Sequence, residues 1–188
     1  MPTGYQIQNQ SATYYLTFQV VYWIDLFTRK SYRDIIIDSL RYCQKEKGLE
    51  IFAWVIMSNH VHIVPRSAKG DLSGTVRDFK KYTSKKIIEE IEKSPESRKV
   101  WMLRLFAHAA KRQNKKGDFQ VWTHENHAVE LFSNKFIQQK VEYLHNNPVR
   151  AGIVDSPEKY LYSSAVSYAD MDGLLEILPI ILEWKTVR

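Results

Sequence analysis

The sequence predicts an α+β sandwich of the split βαβ, ferredoxin-like type, with a central antiparallel sheet and helices on one face. Three observations predict it. A β-branched and aromatic run, TYYLTFQVVYWI over residues 13–24, precedes a helical period over 32–47. Two apolar runs, LEIFAWVIM and HVHIV, follow with only Ser58-Asn59 between them, as a hairpin requires. A second long helical period opens at Leu72 and is followed later by short apolar runs.

The elements follow in order. Residues 13–24 read as a buried strand. Ser31 is the expected N-cap of a helix over Tyr32–Lys47, with Ile36, Leu40 and Cys43 on its apolar face and Gly48 as its C-cap. Leu49–Met57 and His60–Val64 form the hairpin, and Pro65 closes it. Leu72–Ile91 is a long helix directing Val76, Phe79, Ile87 and Ile91 inward, broken by Ser94-Pro95. A helix over Glu96–Lys111 and a polar turn over Asn114–Asp118 complete a helical insertion spanning roughly residues 93–118. Short strands are expected at Phe119–Trp122 and Ala128–Phe132. Ser133 caps a helix running to Asn146 or Asn147, stopped by Pro148. Residues 149–188 form a C-terminal extension with a loop, Tyr160, Tyr162 and Tyr168, and a short apolar tail. No repeat or linker divides residues 1–188, which read as a single domain.

Composition narrows the function classes. The 188 residues are 44% hydrophobic and 26% charged, the balance of a globular protein. No apolar run approaches the ~20 residues needed to cross a bilayer, and Met1–Gln10 lacks the pattern of a signal peptide. The expected place of work is therefore the cytoplasm, with no membrane partner. Cys43 is the sole cysteine, which excludes an internal disulfide, and its apolar helical setting predicts a buried thiol. The formal net charge of +6 points to a polyanionic partner. Two basic clusters carry much of it: Arg77, Lys80, Lys81, Lys85 and Lys86, then Lys111, Arg112, Lys115 and Lys116. Arg77, Lys81 and Lys85 are four apart and form one helical stripe, suited to a phosphate backbone or merely to solvent.

Two segments carry candidate chemistry. In His60-Val61-His62 the imidazoles lie two apart on a strand and share a side, as paired nitrogen ligands of a divalent metal would. The same spacing also fits two surface histidines. In Tyr143-Leu144-His145-Asn146-Asn147-Pro148, Tyr143 and Asn147 are four apart on one helix face, near a C-terminus whose macrodipole favours a cation. Taken alone, this segment fits a packed tyrosine and a capping asparagine better than a metal site.

Together the segments resemble the single-tyrosine HUH transposases, and more closely their REP-associated branch. The resemblance rests on MSNHVHIV (57–64), FKKYTSKKI (79–87), FQVWTHENHAVEL (119–131), YLHNNPVRAG (143–152) and EKYLYSSA (158–165), in that order. It implies that His60 and His62 are metal ligands, that Tyr143 is the nucleophile, and that Asn147 completes the metal site. Relatives outside the REP-associated branch carry Gln at that last position. His127 also matches a recurrent family position, without an assigned role.

The resemblance further implies a metal-dependent single-stranded DNA endonuclease and strand transferase of bacterial origin, associated with the nucleoid when bound to DNA. Single-stranded or hairpin DNA is the expected partner, acted on by a monomer or homodimer. Two imidazoles, an amide oxygen and water suit Mg²⁺ or Mn²⁺. Attack by Tyr143 would leave a 5′-phosphotyrosine link and a free 3′-OH. Arg77, Lys80, Lys81, Lys85, Lys111 and Arg112 are the expected DNA contacts, and Tyr82 is the next phenol in line as nucleophile. Two other readings stay open: a non-catalytic DNA- or RNA-binding protein on the same scaffold, and a zinc hydrolase using His60, His62 and either His124 or His127.

Overall fold

A computed structural model describes residues 6–113 and 117–180. Asn114, Lys115 and Lys116, which the sequence assigns to a polar turn, lie outside the described residues, as does the end of the expected apolar tail.

Among the described residues, four strands form one antiparallel sheet: β1 (Tyr14–Gln19), β2 (Leu49–Ile56), β3 (His60–Ser67) and β4 (Val129–Glu130), in the order β2-β3-β1-β4. β3 separates β1 from β2, which is the split βαβ arrangement. The helices are α1 (Lys30–Lys47), α2 (Leu72–Lys93), α3 (Lys99–Arg112), α4 (Asn134–His145) and the short α5 (Asn147–Arg150) and α6 (Ala165–Tyr168). Among the described residues, no helix is long and apolar enough to cross a membrane.

The two-residue period of the strands sorts the side chains into two cores. Leu16, Phe18, Val61, Ile63, Trp54 and Ile56 enter the larger one, with Ile36 and Leu40 of α1 and Val76, Phe79 and Ile87 of α2. Tyr15, Ala53, Val55 and Val64 face the opposite way and pack with Val141 and Leu144 of α4. Helices therefore cover both faces, not one as expected. The reason lies in β2, whose Ala53, Trp54, Val55 and Ile56 are all buried, so both of its sides need a cover.

Several boundaries differ from the sequence reading. β1 ends at Gln19, because Tyr22 and Trp23 adopt left-handed backbone angles in a 3₁₀ turn over Val21–Trp23. The first helix starts at Lys30, placing Ser31 inside its first turn, after buried Leu26 and Phe27 have anchored the approach. Gly48 closes it in the left-handed conformation at φ 67°. Pro65 does not end the hairpin; it pairs with Ile51 beside a register shift, the irregularity that lets a strand tolerate a missing N–H. Glu96 does not begin a helix, because it is buried between Arg29 (2.9 Å) and Arg98 (3.3 Å). Phe119–Trp122 forms no strand and makes only a Val20–Trp122 bridge, so β4 is the last strand. Pro148 does not terminate the helical path: at the start of α5 its missing N–H costs nothing.

The C-terminal extension covers the outer edge of β2. The Ile56 amide donates to Tyr162 O (2.9 Å) and the Leu178 amide to Ile51 O (2.9 Å). The Tyr160 and Tyr168 hydroxyls donate to the carbonyls of Ile56 (2.7 Å) and Phe52 (3.0 Å). An edge capped in this way offers little to a foreign strand.

Candidate functional site

His60 and His62 lie on the central strand β3 and point to the α4 side of the sheet. Their register partners on β1 are Gln19 and Thr17. The two rings are 4.6 Å apart between centroids. α4 crosses this face and brings the Tyr143 ring to 6.3 Å from His62, within one chain. Ser133 supports that placement by accepting the Phe136 amide at the helix start (3.3 Å). Tyr143 is 43% exposed, so its ring is anchored on one side and open on the other.

Each histidine is held through its Nδ1 atom. The Asn59 amide nitrogen donates to the Asp25 carboxylate (2.9 Å), which turns the Asn59 Oδ1 atom toward His60 Nδ1 (2.8 Å). An amide oxygen only accepts, so Nδ1 of His60 carries the proton and Nε2 keeps its lone pair. Nδ1 of His62 lies 2.9 Å from both Tyr15 Oη and Thr17 Oγ1. Either hydroxyl can accept a proton carried on Nδ1, and in that tautomer His62 presents Nε2 as a base. Burial lowers the pKa of both rings, and His60 and Lys140 push His62 further down, to about 3. Both are therefore neutral near pH 7, the state that can bind a metal.

Asn147 follows Tyr143 by one turn. Its amide nitrogen donates to the carbonyls of Tyr143 (3.1 Å) and Leu144 (3.4 Å), which commits the nitrogen and leaves Oδ1 as the atom available for a ligand role. Two neutral imidazoles and a carboxamide oxygen fit a hexacoordinate cation that keeps several waters. Among the described residues, no group of three or more His, Cys, Asp or Glu side chains is placed to hold an ion. His124 and His127 therefore do not join the pair, and the zinc-hydrolase reading lacks its third histidine.

The basic residues separate into different settings. Arg77, Lys81 and Lys85 line a groove of about 1100 Å³ between α2 and residues 118–126. Lys80 also reaches this groove, but its ammonium donates to Thr123 O (2.8 Å) and Asn126 Oδ1 (2.7 Å) and so ties the edge segment to α2. Lys111 and Arg112 are exposed at the end of α3, outside that groove. Tyr82 is exposed on α2, the helix covering the opposite face from the histidines, so it is not an alternative phenol for this site.

Sequence reasoning missed four contributors. Tyr15 and Thr17 are hydroxyl-bearing residues two apart on one face of β1, a signal for a polar partner on that face. Asp25 had no local signal. Arg150 places its guanidinium 4.9 Å from the Tyr143 ring centroid, because the helical path continues through Asn146 into α5 and brings position 150 round two turns after the phenol.

Residues 8–120 match the family described as transposase IS200-like. The chain belongs to the IS200-like transposase family. A solved structure of a REP-associated tyrosine transposase bound to a REP hairpin is similar in fold, with a TM-score of 0.58 at 16% identity. That match covers 97% of this chain and 95% of that one. A Deinococcus radiodurans protein provisionally described as a transposase gives 0.43 at 17% identity, over 78% of this chain and 97% of that one. No curated protein matches.

Proposed function

We propose that this IS200-like transposase is a metal-dependent single-stranded DNA endonuclease and strand transferase whose nucleophile is Tyr143. The observation that carries the proposal is the 6.3 Å approach of the Tyr143 ring to His62 within one chain.

His60 Nε2, His62 Nε2 and Asn147 Oδ1 are the atoms that would hold Mg²⁺ or Mn²⁺. When bound, such an ion supplies Lewis acidity toward a non-bridging oxygen of the scissile phosphate. The chain's own groups do the rest. Tyr143 Oη attacks phosphorus, the P–O3′ bond breaks, and the departing 3′ oxygen takes up a proton as the phenol loses one. The products are a 5′-phosphotyrosine link and a free 3′-OH. Arg150, against the same ring, adds positive potential where the phosphate must dock. The covalent link conserves the phosphodiester bond energy, so a second 3′-OH can reverse the step without a nucleotide cofactor.

The substrate in this proposal is single-stranded or hairpin DNA. Two features support it: the groove carrying Arg77, Lys81 and Lys85, and the fold shared with a transposase solved on a REP hairpin. The test is covalent capture of a labelled hairpin oligonucleotide with and without Mn²⁺. The wild-type chain is expected to give a denaturant-resistant adduct, and Tyr143→Phe to bind the hairpin but form none. An adduct persisting in Tyr143→Phe overturns the assignment. Binding with no adduct in the wild type favours the non-catalytic DNA-binding reading.

A further inference from the structure

The 20–27 segment presents an arrangement that the fold does not need. Tyr22 and Trp23 are consecutive non-glycine residues at φ 56° and 55°. That region is disfavoured for bulky L-residues, and a pair of glycines or asparagines would fill it at less cost. Tyr22 is held by its contact with His108, but Trp23 gets little packing in return, being 60% exposed. Strain held without a packing return is characteristic of positions kept for ligand contact.

The surroundings hold this turn firmly against the histidines. The Val20 amide donates to Asn59 O (2.9 Å) and the Phe27 amide to Ser58 O (2.8 Å), so both ends are bonded to the turn that introduces His60. The Trp23 ring stands edge-on to His60, with centroids 6.0 Å apart and an interplanar angle of 81°. Tyr22 is fixed from the other side, its hydroxyl 2.8 Å from Nδ1 of His108 on α3. On that helix Trp101, Arg104, His108 and Lys111 follow at spacings of three and four, so one stripe leads toward Tyr22.

We infer that Trp23 is a stacking platform for one unpaired nucleobase of the substrate strand, next to the phosphate that Tyr143 attacks. The inference rests on the proposed function. An exposed indole accepts the face of any base, and the neighbouring imidazole fixes how far that base lies from the metal ligands. Arg104 and Lys111 on the α3 stripe are in line to meet the backbone phosphates leading away from it. Trp23 is thus a substrate-positioning residue, with no part in bond making or breaking.

The test is binding of a fluorescently labelled DNA hairpin carrying unpaired flanks on both sides, in the Tyr143→Phe background so that no turnover intervenes. Abasic residues are introduced one position at a time along the flanks. Trp23→Ala is expected to weaken binding by about 5- to 100-fold, the range for losing one stacked base. Trp23→Phe should retain most of the affinity, and Trp23→Gly, which relaxes the backbone, should behave like Trp23→Ala. One abasic position should cost the Trp23 protein a similar factor and cost Trp23→Ala nothing further. The platform is overturned if Trp23→Ala binds like its parent, if the loss is equal on a hairpin without flanks, or if no abasic position is coupled to Trp23. Adduct formation by the wild type is scored separately. Coupling without an adduct would sink the catalytic proposal and leave the platform standing; an adduct without coupling would do the reverse.

Discussion

The hydroxyl of Tyr15 lies 2.9 Å from Nδ1 of His62, so a phenol on β1 fixes the orientation of an imidazole on β3. Burial raises the Tyr15 pKa well above its usual value, and the nearby Tyr143 phenol adds to that, so Tyr15 remains a neutral hydrogen-bonding group. Thr17 Oγ1 meets the same nitrogen from the neighbouring position on that face. Partners of this kind commonly set metal affinity through the ligand's second nitrogen.

Removing both partners should therefore weaken the metal. Tyr15→Phe with Thr17→Val is expected to raise the Mn²⁺ concentration needed for half-maximal adduct formation by about 10- to 100-fold. Tyr15→Phe alone should do less, because Thr17 remains. Direct titration of Mn²⁺ by calorimetry checks the same shift without reference to turnover, and unchanged affinity in the double variant would refute the role.

Stability should fall with acid through the buried histidines. His145 is buried, with Nε2 2.8 Å from Ser164 Oγ, and burial lowers its pKa to about 4. Its folded pKa is below the unfolded value of about 6.5, so the unfolded chain binds more protons as pH drops. This contribution is fully present above about pH 6.5 and is lost progressively toward pH 4, amounting to about 2 kcal/mol by pH 5. His62 adds to the same slope. Denaturant unfolding at stepped pH should show a shallower slope for His145→Gln than for the wild type, and an equal slope would contradict the assignment.

Neighbouring lysines on α2 should behave differently. Lys80→Met removes hydrogen bonds to Thr123 O and Asn126 Oδ1 and should cost about 1–3 kcal/mol of stability, seen as a lower midpoint in urea. Lys81→Ala, at an exposed position lining the groove, should leave that midpoint unchanged. It should instead weaken hairpin binding and reduce the slope of log affinity against log salt by about one unit. The reverse pattern would mean that the groove does not receive the DNA backbone.

Arg150 should matter for rate more than for folding. Its guanidinium lies against the Tyr143 ring and is exposed. Arg150→Ala is expected to slow single-turnover adduct formation by about 10- to 100-fold, with Arg150→Lys recovering part of the loss. A thermal melt indistinguishable from the wild type would confirm that the defect is not one of folding.

Much of this protein is written in local pattern. Alternation in TYYLTF, the apolar run LEIFAWVI and the helical period ending at Gly48 determine β1, β2 and α1, because each is a short-range match between side-chain period and backbone period. The two-residue spacing of His60 and His62 likewise determines that their rings share a face. Tertiary structure decided the rest. Only the docking of α4 on the second face of the sheet brings Tyr143 to His62, and only the β1–β3 register sets Tyr15 and Thr17 against the same imidazole. Pro148 shows the limit of local reading, since proline stops a helix interior but suits a helix start, and which of these applies depends on the path the chain takes next. Contacts between residues 47 or more positions apart depend on how two faces pack, and no sequence period reports that.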